Sequence, residues 1–264
     1  MHWHHDGGEF FFEAEGEKKG FFIELTTECF EKLSSDAQKK FSMMGDGYRF
    51  EYAMEQAGPR EEVVYLSTRR IVQEGNPSRI ELEELKQWVT KKKVVFYTGA
   101  GISAAAGIPT MHQLSLLFPF THQWIEKSVQ SPEAVLRKVD YFYRACHKSS
   151  PTKAHWALKQ MIAGSPQRLL TENLDQLHQK TGLNPLCVQT DQIAKEISIE
   201  ELKSIDAIVC IGLSHDAKGL LGWYKEHNKE GKIISIDLKQ PSYLNTNDYW
   251  LEGDIQKVIP SLVH

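Results

Sequence analysis

Residues 94–101, VVFYTGAG, put four consecutive apolar side chains ahead of a threonine and a Gly-Ala-Gly turn. A strand that is apolar at every position is buried on both faces, and such strands belong to parallel sheets covered by helices on each side. Small residues follow (Ser103, Ala104, Ala105, Ala106), then Gly107-Ile108-Pro109. A buried strand that feeds a glycine turn and a helix start gathers backbone N–H groups at one point. The partial positive charge there favours phosphate. Gly99 and Gly101 permit close backbone approach, and Ala104 stands where the third small residue of a G-x-G-x-x-G/A pattern belongs. The same spacing also suits an ordinary strand–turn–helix packed through small residues.

The chain beyond this point alternates. Helices are expected over 80–90, 122–147, 152–162, 177–181, 199–203 and 218–229, with short apolar strands at 168–170, 186–188, 205–211 and 233–236. This alternation predicts an α/β fold, a doubly wound, Rossmann-like parallel sheet. Ligands of such sheets sit beyond the carboxyl ends of the strands. Thr171–Asp175 and Gly212-Leu213-Ser214 both fall at strand ends, so they converge with the glycine turn on one cleft. Upstream, residues 9–25 read as two strands joined by a charged turn. Residues 26–33 and 36–44 read as helices and 63–66 as a strand. Gly75-Asn76-Pro77 is the expected boundary. It separates a small α+β extension, 1–75, from a nucleotide-binding domain, 76–264.

With 264 residues and 41% of them hydrophobic, the chain can bury a sizeable core. A net charge of −4 gives no drive toward nucleic acid or an anionic membrane surface. No apolar run reaches the ~20 residues that span a bilayer, and the N-terminus lacks the apolar core of a secretory signal. Lys91-Lys92-Lys93 reads as the solvated end of a helix. The four cysteines, Cys29, Cys146, Cys187 and Cys210, show no C-x(2–4)-C spacing, so no zinc site is expected. Cys187 and Cys210 read as small buried hydrophobes, and a reduced, cytoplasmic setting is the simplest expectation.

The longer string G-A-G-I-S-x-x-x-G-I-P at 99–109 resembles the NAD-binding signature of the sirtuins, the NAD-dependent protein deacylases. Four more elements follow in family order. LTENLDQLH at 170–178 is similar to T-Q-N-I-D-x-L-H. Ile211-Gly212-Leu213-Ser214 is similar to G-T-S, and Ile234-Ser235-Ile236-Asp237 to a strand ending in Ile-Asn. EGDIQKVIPSL at 252–262 is similar to the closing G-x-x-x-x-x-L-P-x-L. The resemblance covers roughly residues 85–264. It implies NAD as cofactor, a small-molecule nucleotide partner and, in the deacylase reading, a protein substrate.

Carried over residue by residue, the resemblance places Gly99, Ala100, Gly101, Ile102, Gly107, Pro109, Gly212, Ser214 and Asp237 against the nucleotide. Asn173 and Asp175 become the catalytic pair, holding the nicotinamide ribose and carboxamide and supporting the cationic sugar as nicotinamide leaves. Read from the residues alone, Asn173 and Asp175 are equally loop residues that cap the next helix. Asp237 stands where the family has Asn, and a carboxylate at a strand end can accept a ribose hydroxyl. His178 and His155 read as packed, hydrogen-bonded histidines.

Three departures matter. By position Gln189 replaces the family's general-base histidine, and a Gln amide takes no proton near neutral pH. Thr110-Met111-His112 replaces D-F-R after G-I-P. Glu172 replaces the Gln of T-Q-N-I-D and adds negative charge, which either stabilises a ribosyl cation or repels phosphate. The family's zinc module has no room between Gln189 and the strand near Ile205. Three functions are therefore open: NAD cleavage with water or another acceptor, NAD-dependent protein deacylation with His112 or His215 standing in, and an inactive module that senses NAD or ADP-ribose. Among the N-terminal residues, His2, His4, His5 and Asp6 are metal-ligand types, but their spacing reads as a loose tail. The aromatic run Phe10-Phe11-Phe12 with Phe21-Phe22 reads as a small hairpin, a partner surface or a lid.

Overall fold

The computed structural model describes residues 8–14, 17–23, 76–110, 113, 141, 142, 144–165, 167–188, 196–216 and 218–263. The chain divides into two compact units. One comprises residues 1–58 and 111–145, the other residues 59–110 and 146–264. In the first unit, β1 (Gly8–Ala14) and β2 (Glu17–Ile23) pair antiparallel, with Gly8 opposite Ile23 and Ala14 opposite Glu17. This is the hairpin expected over 9–25. The expected elements at 26–33, 36–44 and 63–66, and most of 122–147, lie outside the described residues.

The second unit holds a seven-stranded, all-parallel sheet. Its strands are β3 (Ser78–Arg79), β4 (Val94–Thr98), β5 (Arg168–Thr171), β6 (Leu186–Cys187), β7 (Ala207–Ile211), β8 (Lys232–Asp237) and β9 (Tyr249–Glu252). Their order is β3-β9-β8-β7-β4-β5-β6. From β4 the chain first builds outward through β5 to β6. It then returns to the other side of β4 and builds outward again through β7, β8 and β9. The reversal makes the carboxyl ends of β4 and β7 the switch point, where a doubly wound sheet takes its ligand in a crevice.

The apolar run of β4 explains the two-sided core. All five residues are buried. Side chains alternate across a strand, so Val95 and Tyr97 enter one core layer with Ile208, Cys210, Leu213, Tyr224 and Tyr243. Val94 and Phe96 enter the other with Ile102, Leu158, Val209, Ile234 and Ile259. Helix α1 (Leu82–Lys91) lays Leu85 and Val89 on that second layer. It carries Glu83 and Glu84 in its first turn and Lys91 in its last, complementing the helix dipole. Helix α2 (Lys153–Ile162) buries Ala154, His155, Ala157 and Leu158 on the same side. Four further helices, α3 (Leu177–Lys180), α4 (Ile199–Ser204), α5 (Leu220–His227) and α6 (Ile255–Ser261), alternate with the remaining strands.

Three local differences from the sequence reading have physical causes. The segment after the glycine turn is a 3₁₀ helix, Ala100–Ala106, closed by Gly107 in the left-handed region at φ 81°. Strands β3 and β9 were not expected, because Ser78-Arg79 has no strand signature and pairs only with β9. Cys187 is only half-buried, because β6 is a two-residue edge strand; Cys210, in the centre of the sheet, is buried.

Candidate functional site

The site begins with three glycines that touch one another. The Gly99 N–H donates to Ile211 O at 3.0 Å and the Gly101 N–H to Gly212 O at 3.0 Å. A Cβ on Gly99 would stand 2.6 Å from Gly212 O, and one on Gly101 2.7 Å from Gly212 Cα. Gly212 adopts φ 62°, and a Cβ there would stand 2.6 Å from Ile102 N. The absence of side chains is therefore spent on packing the β4 loop against the β7 loop. Two of the N–H groups expected to face a phosphate are consumed inside the protein, which corrects the sequence reading of bare donors at Gly99 and Gly101. Beyond this junction the 3₁₀ turn carries no charged side chain. Gly107 has open space around its Cβ position.

Strand β5 delivers Asn173 to this junction. Its amide Nδ2 donates to Gly99 O at 3.1 Å and lies 3.4 Å from Ser103 Oγ. Its backbone N–H donates to Thr171 Oγ1 at 3.0 Å. From there a buried chain runs inward. Thr98 Oγ1 lies 2.9 Å from both Thr171 Oγ1 and His178 Nε2. His178 packs against His155 with ring centroids 4.6 Å apart and the ring planes tilted by 55°. The Thr152 N–H donates to His155 Nδ1 at 3.2 Å, and Thr152 Oγ1 donates to Ile102 O at 3.3 Å. This polar seam thus reaches the glycine turn from below. His178 Nδ1 and His155 Nε2 are buried and find no hydrogen-bond partner among the described residues. Burial lowers His155 to about 4; burial, together with the neighbouring His155, lowers His178 to about 3. Both rings are neutral at pH 7, as packed histidines must be.

Asp175 is buried and its Oδ1 accepts the Leu177 N–H at 2.8 Å. This bond holds the first N–H of α3, whose N-cap residue, Gln176, supplies no side-chain cap. Ser214 is exposed just past β7. Asp237 ends β8, one strand beyond β7, and burial raises its carboxyl. The junction reaches it indirectly, through the Gly212 N–H donated to Ile236 O at 3.2 Å. The structure therefore gathers Gly99, Ala100, Gly101, Ile102, Asn173 and Gly212 at the switch point and sets Ser214 and Asp237 along the same strand ends. Gly107 and Pro109 lie at the far end of the 3₁₀ turn. Gln189 and His112 lie outside the described residues.

Sequence reasoning did not find the partner of Glu172. The Tyr97 hydroxyl donates to Glu172 Oε1. Tyr97 is fully buried in the core layer below, and the Glu172 N–H extends the β4–β5 ladder by donating to Thr98 O at 3.1 Å. Burial raises the Glu172 carboxyl to about 7, against the lowering effects of the Tyr97 hydrogen bond and Lys218 and with a raising effect from Asp216. Asp216 is itself raised by burial, although its two oxygens accept the Leu221 and Gly222 N–H groups at 3.1 and 2.9 Å. Tyr97 and Glu172 are 75 positions apart. Only the β4–β5 pairing, which sets Thr98 opposite Thr171, joins them. Among the described residues no group of three or more His, Cys, Asp or Glu side chains is placed to hold a metal. No described helix is long and apolar enough to cross a membrane.

Comparison with known proteins bears on the fold. A model of the Sir2 family matches residues 99–194. The chain is 28% identical over 130 residues to the NAD-dependent protein deacylase SRT2 of Arabidopsis thaliana, covering 46% of this chain and 35% of that protein. It is 32% identical over 119 residues to an NAD-dependent protein deacetylase of Staphylococcus aureus strain Mu50, covering 39% of this chain and 47% of the relative. It thus spans less than half the length of these curated relatives. Among solved structures, a Sir2 homologue–NAD complex superposes with TM-score 0.50 and 20% identity, over 72% of this chain and 96% of the other. A Sir2 homologue complexed with 2′-O-acetyl ADP ribose superposes with TM-score 0.53 and 21% identity, over 70% and 95%. At these identities the shared property is the fold, and it is the doubly wound sheet read from the alternation of strands and helices.

Proposed function

Taking as premise that the chain carries a Sir2-family region at 99–194, we propose that it binds NAD in the crevice between β4 and β7 and cleaves the nicotinamide–ribose bond, with water or another acceptor. The observation that carries this reading is Asn173. Its amide reaches from the end of β5 to Gly99 O at the end of the neighbouring β4, so one polar side chain is fixed beside the glycine junction. With Nδ2 committed to the protein, the amide oxygen is left as an acceptor for a ribose hydroxyl. Asp175, two residues on, has one oxygen committed to Leu177 N–H and a second available to a carboxamide. The glycine turn lies against the pyrophosphate, and the uncharged surface of 99–109 raises no electrostatic barrier to it. Ser214 and Asp237 extend the site along the strand ends toward the adenosine ribose.

Fixed polar groups around an anomeric carbon favour a cationic sugar as nicotinamide departs, because they need no reorganisation at the moment the charge develops. The test is calorimetric titration with NAD and with ADP-ribose, with free nicotinamide assayed in the same samples. Binding with nicotinamide release that falls at least tenfold in Asn173→Ala supports the reading. Release unchanged in that variant removes it. Binding without release makes the chain a nucleotide sensor. Deacylation of an acetyl-lysine peptide in the same assay would identify the acceptor as a protein acyl group. The assignment of 76–264 as the nucleotide-binding part, with 1–75 as an extension, belongs to the same proposal.

A further inference from the structure

We propose that the Glu172 carboxylate, positioned by the Tyr97 phenol at the carboxyl end of β5, takes the proton from the water that attacks the nicotinamide ribose. This rests on the NAD-cleaving reading above and supplies the base that the sequence lacks at Gln189. Glu172 follows directly on the β4–β5 ladder and immediately precedes Asn173, so both residues stand at the carboxyl end of β5, where ligands of such sheets sit. Its carboxyl turns toward β4, where Tyr97 holds Oε1, and lies within electrostatic reach of Asp216 and Lys218 in the segment after β7. It therefore stands at the carboxyl ends of β4 and β5, near the segment that follows β7. Oε1 is committed to the phenol, and Oε2 is the oxygen available for a proton.

The other titratable groups at these strand ends are differently placed. Both oxygens of Asp216 accept backbone N–H groups at the start of α5. Asp175 holds the first turn of α3. His155 and His178 are sealed in the core beneath the sheet edge. His215 is exposed after β7, and no contact among the described residues fixes it. The Asp237 carboxyl, at the end of β8, is held among the described residues only by backbone N–H groups of the turn that follows it, whereas Glu172 is oriented by the side chain of Tyr97. Burial sets its proton affinity near neutrality, where a general base works best.

The step balances without a further reactant. The glycosidic C–N bond breaks and its electron pair neutralises the cationic nicotinamide nitrogen. The water oxygen bonds to the anomeric carbon, and one water proton passes to Glu172. The products are nicotinamide and ADP-ribose, and the proton returns to solvent. Tyr97 is a positioning residue here. Its hydrogen bond favours the charged carboxylate, so Tyr97→Phe moves the acid limb of the rate profile to higher pH.

The test uses the full chain with NAD. In Glu172→Gln, nicotinamide release falls at least about a hundredfold, while NAD affinity by calorimetry at pH 6 stays within about threefold. The wild-type change in NAD affinity between pH 6 and 8 disappears in the same variant, a readout independent of turnover. Tyr97→Phe retains release, with its acid limb displaced upward. Release near the wild-type rate in Glu172→Gln overturns the proposal and leaves NAD cleavage standing. So does release lost in His215→Ala but kept in Glu172→Gln. Affinity lost in parallel with release would make Glu172 a binding residue and also overturn it. A wild-type chain that binds NAD and releases no nicotinamide refutes the underlying reading, and this proposal with it.

Discussion

The buried pair His155–His178 makes acid sensitivity a quantitative expectation. In the unfolded chain both imidazoles titrate near 6.5, and in the folded protein burial holds them near 4 and near 3. Below pH 6.5 the unfolded chain takes up protons that the native state refuses. The pair's contribution is thus complete at pH 8 and drains as pH falls from 6.5 toward the folded values. At pH 5 each histidine accounts for about 2 kcal/mol of lost stability, so the pair accounts for about 4 kcal/mol between pH 8 and 5. Glu172, Asp216 and Asp237 act in the opposite direction, because burial raises their carboxyls and the native state binds their protons first. The wild-type curve therefore sums opposing effects, and the difference between two proteins is the proper measurement. Urea unfolding of wild type and of His155→Gln/His178→Gln across pH 5–8 cancels the carboxyl contributions. The stability difference should narrow in the variant's favour by about 4 kcal/mol on acidification. Curves parallel to within 1 kcal/mol would refute the assignment of two neutral, proton-refusing rings.

Gly212→Ala drives a methyl into the Gly101–Ile102 backbone at a left-handed φ; it should cost several kcal/mol in thermal unfolding, and a loss below about 1 kcal/mol would show that the loops part easily. Asp248 is fully buried, pairs with Lys225 at 2.5 Å and accepts the Ile233 and Asn245 N–H groups at 2.9 and 3.0 Å. Asp248→Ala leaves two N–H groups unpaired and the half-buried Lys225 with only its bond to Gly231 O among the described residues, and should cost about 2–4 kcal/mol by denaturant unfolding. Leu85→Ala, at a position of no exposure in the second core layer, should cost about 2–5 kcal/mol in the same assay with NAD affinity unchanged. A chain beginning at residue 76 should retain NAD affinity within about threefold by calorimetry; lost binding with native circular dichroism would give residues 1–75 a part in the site.

The central sheet was legible because burial on both faces writes an unbroken apolar run. Val94–Thr98 and Ala207–Ile211 lie side by side with every residue buried, and no helix pattern competes with them. The edges were not legible for the complementary reason. Ser78-Arg79 is a strand only because Tyr249-Trp250 offers it hydrogen bonds, a property of the partner and not of those two residues. The 3₁₀ form of Ala100–Ala106 has a similar origin, since Gly101 is pinned to Gly212 by a contact across more than a hundred residues. At the site, the residue types were visible but their allegiances were not. The glycines pointed to phosphate, whereas their closest neighbours are one another. Glu172 was read as an isolated charge, and its phenol partner lies inside a core strand where Tyr97 counted only as an apolar residue.

The glycine junction sets a rule for how this chain can change. A clash between two side chains can be relieved by shortening either one. Here the atoms that would meet a new Cβ on Gly101 or Gly212 are backbone atoms, which nothing can trim. Any substitution at these two positions can be answered only by moving the main chain of a central strand end. The side chains around it, Glu172 and Asn173 among them, can thus be exchanged residue by residue, while the glycine junction itself accepts no single-step revision.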